Sequence, residues 1–63
     1  MIDKRAMMQE LARELAMRRN VFPKWVASGK LKQEEADQRV NRMQAAYEFI
    51  DKAADATYEA PGF

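Results

Sequence analysis

Two rows of apolar residues at helical spacing run along the chain, separated by one short polar stretch. In the first, Met8, Leu11, Leu15 and Phe22 recur at intervals suited to 3.6 residues per turn. Trp25 and Val26 carry that row past Pro23. Residues 3–22 are good helix formers almost throughout. In the second row, Ala36, Val40, Met43, Tyr47, Ile50, Ala54 and Tyr58 follow steps of three and four, as in a coiled-coil seam. The pattern predicts a first helix over about 3–28, a turn at 29–32, a second helix over about 33–58 and a tail at 59–63.

Laid antiparallel, the rows pair Trp25 with Ala36, Phe22 with Val40, Leu15 with Tyr47, Leu11 with Ile50 and Met8 with Ala54. The register holds from one end to the other, and large faces small in several layers. This predicts an all-α fold: an antiparallel helical hairpin that dimerises into a four-helix bundle. The turn has the residues for it. Gly29 suits the left-handed conformation that ends a helix. Leu31 can staple onto Ala36 across the next helix start. Glu34, Glu35 and Asp37 suit the positive end of a helix dipole. Glu35 stands where a capping-box carboxylate belongs, three residues after Lys32, although Lys32 itself is a poor cap.

Pro23 admits two readings. It removes the hydrogen bond to the Arg19 carbonyl, so it can kink a continuous helix. Alternatively the helix stops at Asn20 and Pro23 opens a short separate one. The unbroken apolar register favours the kink.

The length, 63 residues, allows one small domain. Chains this short seldom draw more than ~3–5 kcal/mol from a lone core, so they need a further staple. With no cysteine and no histidine, neither a disulfide nor the usual zinc site is available. Oligomerisation is the remaining common device, and a homodimer is expected. A third of the residues are charged, no apolar run is long enough for a membrane span, and the first residues lack a signal peptide's apolar segment. A soluble, cytoplasmic protein with no membrane partner is expected. Expected core and dimer residues are Met8, Leu11, Leu15, Val40, Met43, Tyr47, Phe49 and Ile50.

Net charge is +1, but residues 1–32 hold eight Lys/Arg against three Asp/Glu, and residues 33–63 hold three against seven. Oppositely charged halves can attract each other in a hairpin, or the basic half can meet nucleic acid or an acidic protein. Arg18 falls within the apolar face of the first helix. It can snorkel, pair with Asp51 or another acid across a dimer, or reach a partner. Met17, Val21 and Phe49 are apolar but lie off the seams. Around Pro23, aromatic and basic side chains of the types enriched in binding hot spots come together. The expected partner surface is Met17, Arg18, Arg19, Val21, Phe22, Lys24 and Trp25.

No catalytic residue is expected. Ser28 and Thr57 are the only hydroxyls besides the tyrosines, and no histidine or cysteine stands ready as base or nucleophile. No glycine-rich phosphate loop, metal site or cofactor motif is present in the sequence. The tail "YEAPGF" is expected to be loosely ordered beyond Tyr58, with Phe63 able to dock.

The run Met17-Arg18-Arg19, Val21-Phe22-Pro23-Lys24-Trp25-Val26, Gly29-Lys30-Leu31, Glu34-Glu35-Ala36-Asp37 and Met43 resembles a group of small proteins encoded by bacteriophages and prophages. It spans roughly residues 11–50. Lys32 departs from the Ser or Thr expected at that helix start. The resemblance implies a helical accessory protein that binds and inhibits or modulates a bacterial host protein in the host cytoplasm. Transcription activators of quorum sensing and pilus motors are examples of such targets. The alternatives are a nucleic-acid-binding regulator using the basic face of the first helix, and a small virion structural protein. Against nucleic acid, the second helix brings acidic charge near phosphate and no third helix completes a helix-turn-helix.

Overall fold

The computed structural model describes residues 1–62. The chain runs β1 (Ile2–Asp3), α1 (Lys4–Ala27), α2 (Gln33–Lys52), β2 (Thr57–Tyr58). The two helices form the hairpin, and the two short strands pair antiparallel beside its open end, Ile2 with Tyr58 and Asp3 with Thr57. Phe63 and its expected docking lie outside the described residues. Among the described residues, no helix is long and apolar enough to cross a membrane.

α1 starts where its first free N–H groups find an acceptor. Asp3 is extended, and its Oδ1 accepts the Ala6 N–H at 2.9 Å, a side-chain cap worth about 0.5–2 kcal/mol. The helix then runs unbroken through Pro23 to Ala27, so the reading in which it stops at Asn20 is overturned. A mid-helix proline costs about 3 kcal/mol or more. Phe22, on one side of it, belongs to the buried cluster by the turn and Val26, on the other, packs against that cluster, and that packing offsets the lost bond.

The helix end is a Schellman motif. Gly29 has φ of 81°, its N–H bonds the Val26 carbonyl at 3.1 Å, and the Lys30 N–H bonds the Trp25 carbonyl at 2.9 Å. The Leu31 N–H at 3.3 Å and the Ser28 hydroxyl at 3.1 Å also donate to the Trp25 oxygen. A Cβ on Gly29 would meet nothing within 4 Å. The backbone conformation alone therefore penalises a side chain there. Gly29→Ala is expected to destabilise the protein by about 1–2 kcal/mol. A urea midpoint equal to the native one would show that the turn relaxes without cost.

α2 starts without a side-chain cap at Lys32. Leu31 and Ala36 compensate by packing together, 9% and 3% exposed, as a hydrophobic staple does. Glu34 and Glu35 occupy the first turn, where their charge faces the positive end of the helix dipole.

The far end of α2 corrects the sequence reading. The helix ends at Lys52, not near 58. Ala53 turns extended, and its N–H is shared between the Phe49 and Ile50 carbonyls at 3.1 Å each. The Lys4 ammonium accounts for the stop. It donates to the carbonyls of Asp51 at 2.8 Å and Ala53 at 2.9 Å and lies 3.9 Å from the Asp55 carboxylate. These are free C-terminal acceptors that a cation suits. Thr57 and Tyr58, both good strand residues, then join β1. Ala54 consequently lies outside α2 and is exposed, so the expected Met8–Ala54 layer does not form within helices.

Burial is concentrated near the turn. Phe22, Leu31 and Ala36 form a buried cluster with Val26 and Val40 packed against it. The expected Phe22–Val40 layer is therefore present. Leu15, 5% exposed, is the one buried residue of the open half among the described residues, and it lines a shallow cleft together with its expected partner Tyr47. Met8, Leu11, Met43, Tyr47 and Ile50 are half-buried, as seam residues of a hairpin covered on one side should be.

Candidate partner-binding surface

Phe22 organises the turn end of the hairpin. It is 5% exposed, stacks on Trp25 with ring centroids 5.6 Å apart, and carries two guanidinium groups over its ring. Arg39 lies 5.4 Å and Arg18 6.0 Å from the centroid, both within cation–π range. Arg18 is thus neither solvated nor free. Its Nε donates to Glu14 Oε1 at 3.0 Å and its Nη1 to the Arg39 carbonyl at 2.9 Å. Its acidic partner is Glu14 on its own helix, one turn earlier, where Asp51 was one expectation. The stem lies over apolar surface and the head crosses to α2, close to the snorkelling reading.

Arg19 points to the other face of the hairpin. Its Nη2 donates to Gln44 Oε1 at 2.8 Å, and the Gln44 amide reaches Glu48 at 3.5 Å. Adjacent arginines on α1 therefore clamp α2 on opposite faces, through Arg39 and through Gln44.

Two features flank these clamps. One is a ridge. Met17, Val21 and Trp25 recur every four residues on α1, beside Arg18, and are half-exposed to exposed, Met17 at 50% and Trp25 at 40%. Trp25 does not seal the core over Ala36; Leu31 takes that place. The other is a groove of about 400 Å³ lined by Arg18, Arg19, Phe22, Pro23, Gln33, Ala36, Asp37, Val40 and Asn41. Its floor is apolar. Gln33 donates to Asp37 across its rim at 2.9 Å. Pro23 has no N–H to give the Arg19 carbonyl, so the helix lacks its regular hydrogen bond at that point.

The hairpin also rearranges the charge. Antiparallel folding brings residues 18–40 together around the turn, with six Lys/Arg against three Asp/Glu. The remaining residues, toward the open end, hold five against seven. Each end of the hairpin thus mixes both halves of the sequence, the turn end with a surplus of positive charge and the open end with a surplus of negative charge, and the groove lies at the positive end.

Of the expected partner residues, Arg18, Arg19 and Phe22 line the groove, Met17, Val21 and Trp25 form the ridge, and Lys24 is exposed near the turn. Phe49 stands apart on α2 at 76% exposure. Sequence reasoning missed Arg39, Gln44 and Asn41. Each lies on the flank of the second seam, where a count of apolar positions registers nothing. Comparison of the chain with protein-family models, with curated proteins and with solved structures finds no match.

Proposed function

We propose that the chain is a non-enzymatic binding protein that acts as a homodimer of hairpins and presents the basic turn end to an acidic surface of another protein. The observation that carries this reading is the groove itself: an apolar floor of Phe22, Pro23, Ala36 and Val40 beneath Arg18 and Arg19, at the end of the molecule with net positive charge. Such a surface selects a segment that offers a large apolar side chain next to a carboxylate. In this reading Pro23 kinks α1 and opens the groove. The resemblance to phage and prophage proteins makes the partner a bacterial host protein in the cytoplasm, inhibited or modulated by being covered, with a transcription activator as one such target.

The test is co-purification from the bacterial host with the captured protein identified by mass spectrometry. Arg19→Ala and Lys24→Ala remove exposed charges and keep the core intact. Each should weaken capture of the identified protein by at least tenfold, about 1.4 kcal/mol. Capture that survives both changes would remove the groove and its rim from consideration.

A second reading, binding to nucleic acid, draws on the same positive end. Glu34, Glu35 and Asp37 stand beside that end and would meet phosphate oxygens unfavourably. Only weak, salt-sensitive affinity for duplex DNA is expected. Sub-micromolar binding at about 150 mM salt, measured by fluorescence anisotropy, would reverse the order of the two readings.

A further inference from the structure

We infer that residues 53–58 form a two-state strap whose position is selected by the charge on Lys4. In one state they cross the open end and pair with β1, held by Lys4. In the other they continue α2 as helix, with Ala54 on Met8 and Tyr58 over Lys4.

Four observations carry this. The first is a conflict between local preference and structure. Ala53, Ala54 and Ala56 are of the residue type that most favours helix, and Ala54 and Tyr58 continue the apolar row of α2 at steps of four. The segment nevertheless turns extended at Ala53 and ends in β2. A segment whose own preference opposes its conformation is held there by something outside it.

The second is how little holds it. β1 and β2 have two residues each and are joined by the pairs Ile2 with Tyr58 and Asp3 with Thr57. Residues 53–58 are all exposed. A two-stranded pair with no buried face is marginal in water.

The third is competition for the same atoms. A helix through Tyr58 uses the Asp51 carbonyl for the Asp55 N–H and the Ala53 carbonyl for the Thr57 N–H. Those are the two oxygens to which the Lys4 ammonium donates, at 2.8 and 2.9 Å. The Asp55 carboxylate, 3.9 Å from the same ammonium, ties the strap to the same cation.

The fourth is the helix dipoles. Lys4 stands at the start of α1, whose first turn is Lys4-Arg5-Ala6-Met7, and a cation is disfavoured at a helix N-terminus. The C-terminus of α2 beside it compensates in the strapped state. Extending α2 by six residues carries that negative end about 9 Å away and leaves the ammonium against its own helix. Removing the Lys4 charge therefore favours the extension twice. The switch changes the surface as well. In the strapped state Lys4, Arg5, Met8, Tyr47, Asp51 and Asp55 line a cleft of about 450 Å³, which Ala54 laid on Met8 would close.

The experiment uses the full chain and reads residues 53–58 by NMR carbon shifts, which separate helix from strand. The native protein should show extended shifts there. Lys4→Met should turn them helical and raise the far-UV helical signal by roughly a seventh, six residues added to helices of 24 and 20. Lys4→Arg keeps a donor of the same charge and should keep the strap. Helical shifts at 53–58 in the native chain would mean that Lys4 does not hold the strapped state. Extended shifts in Lys4→Met would mean that its charge selects nothing, and random-coil shifts that no second state exists. Each of these three results overturns the inference. Should Lys4→Met fail to fold, a cross-link decides. The chain has no cysteine, so Met8→Cys with Ala54→Cys can be joined within one chain. The linked protein should be helical through Tyr58 and melt cooperatively. Extended or random-coil shifts at 53–58 in the linked protein overturn the inference equally.

Discussion

Phe22→Ala is expected to abolish cooperative folding of the hairpin. Among the described residues, Phe22 is one of four buried apolar residues, with Leu15, Leu31 and Ala36. It touches every part of the turn end. Leu31, Ala36, Val26 and Val40 pack around it, Trp25 stacks on it, and Arg18 and Arg39 lie over its face. Truncating a buried phenylalanine costs about 3–5 kcal/mol. Total stability for a chain of this length is of order 3–9 kcal/mol at ~0.05–0.15 kcal/mol per residue. The loss is therefore comparable to the whole. It is compounded because two guanidinium groups would lose the ring that shields them. Far-UV circular dichroism on heating should show a shallow, non-cooperative decline. A sigmoidal melt within a few degrees of the native one would mean that the turn cluster is not what holds the helices together.

Leu15→Ala should be nearly as damaging, and for a separate reason. Leu15 is 5% exposed but stands outside the turn cluster. It carries the seam into the open half, where Tyr47 is its neighbour across the hairpin. Removing it costs about 2–5 kcal/mol and leaves a half whose other seam residues are only partly covered. The open half should then fray while the turn end keeps some structure. Amide exchange would show this as protection lost at Met8–Ala12 and Tyr47–Asp51 before Phe22–Val26. Phe49→Ala is the control. At 76% exposure it should change stability by less than about 0.5 kcal/mol. A large loss on Phe49→Ala would put Phe49 in an interface. Uniform loss of protection on Leu15→Ala would mean that the hairpin folds as a single unit, with no separable halves.

Fold and site were legible to different degrees. The partner-facing residues could be picked out by type, since Trp25, Arg18 and Arg19 gather around Pro23. Their division into a ridge and a groove could not. It depends on Arg18 and Arg19 taking opposite faces of α2, and thus on which α2 residues stand opposite them. Arg39 and Gln44 were invisible for the same reason. A polar residue on the flank of an apolar row gives no periodic signal, whether it faces solvent or receives a guanidinium from the other helix.

The sequence by itself determined what depends on neighbours in the chain: two helices from their apolar period, the left-handed turn from Gly29, the staple of Leu31 on Ala36, and the register that sets Phe22 against Val40. Each is a matter of backbone conformation or of side chains within a few turns, or follows from rows repeated often enough to have one good alignment. Only the tertiary structure decided where α2 ends, because the Lys4 ammonium that takes the Asp51 and Ala53 carbonyls there lies 47 and 49 positions from them in sequence. It also decided that Arg18 meets the Arg39 carbonyl and Arg19 meets Gln44. A long charged side chain carries no mark of its acceptor until the helices lie together, so these choices are made by packing and are absent from the pattern.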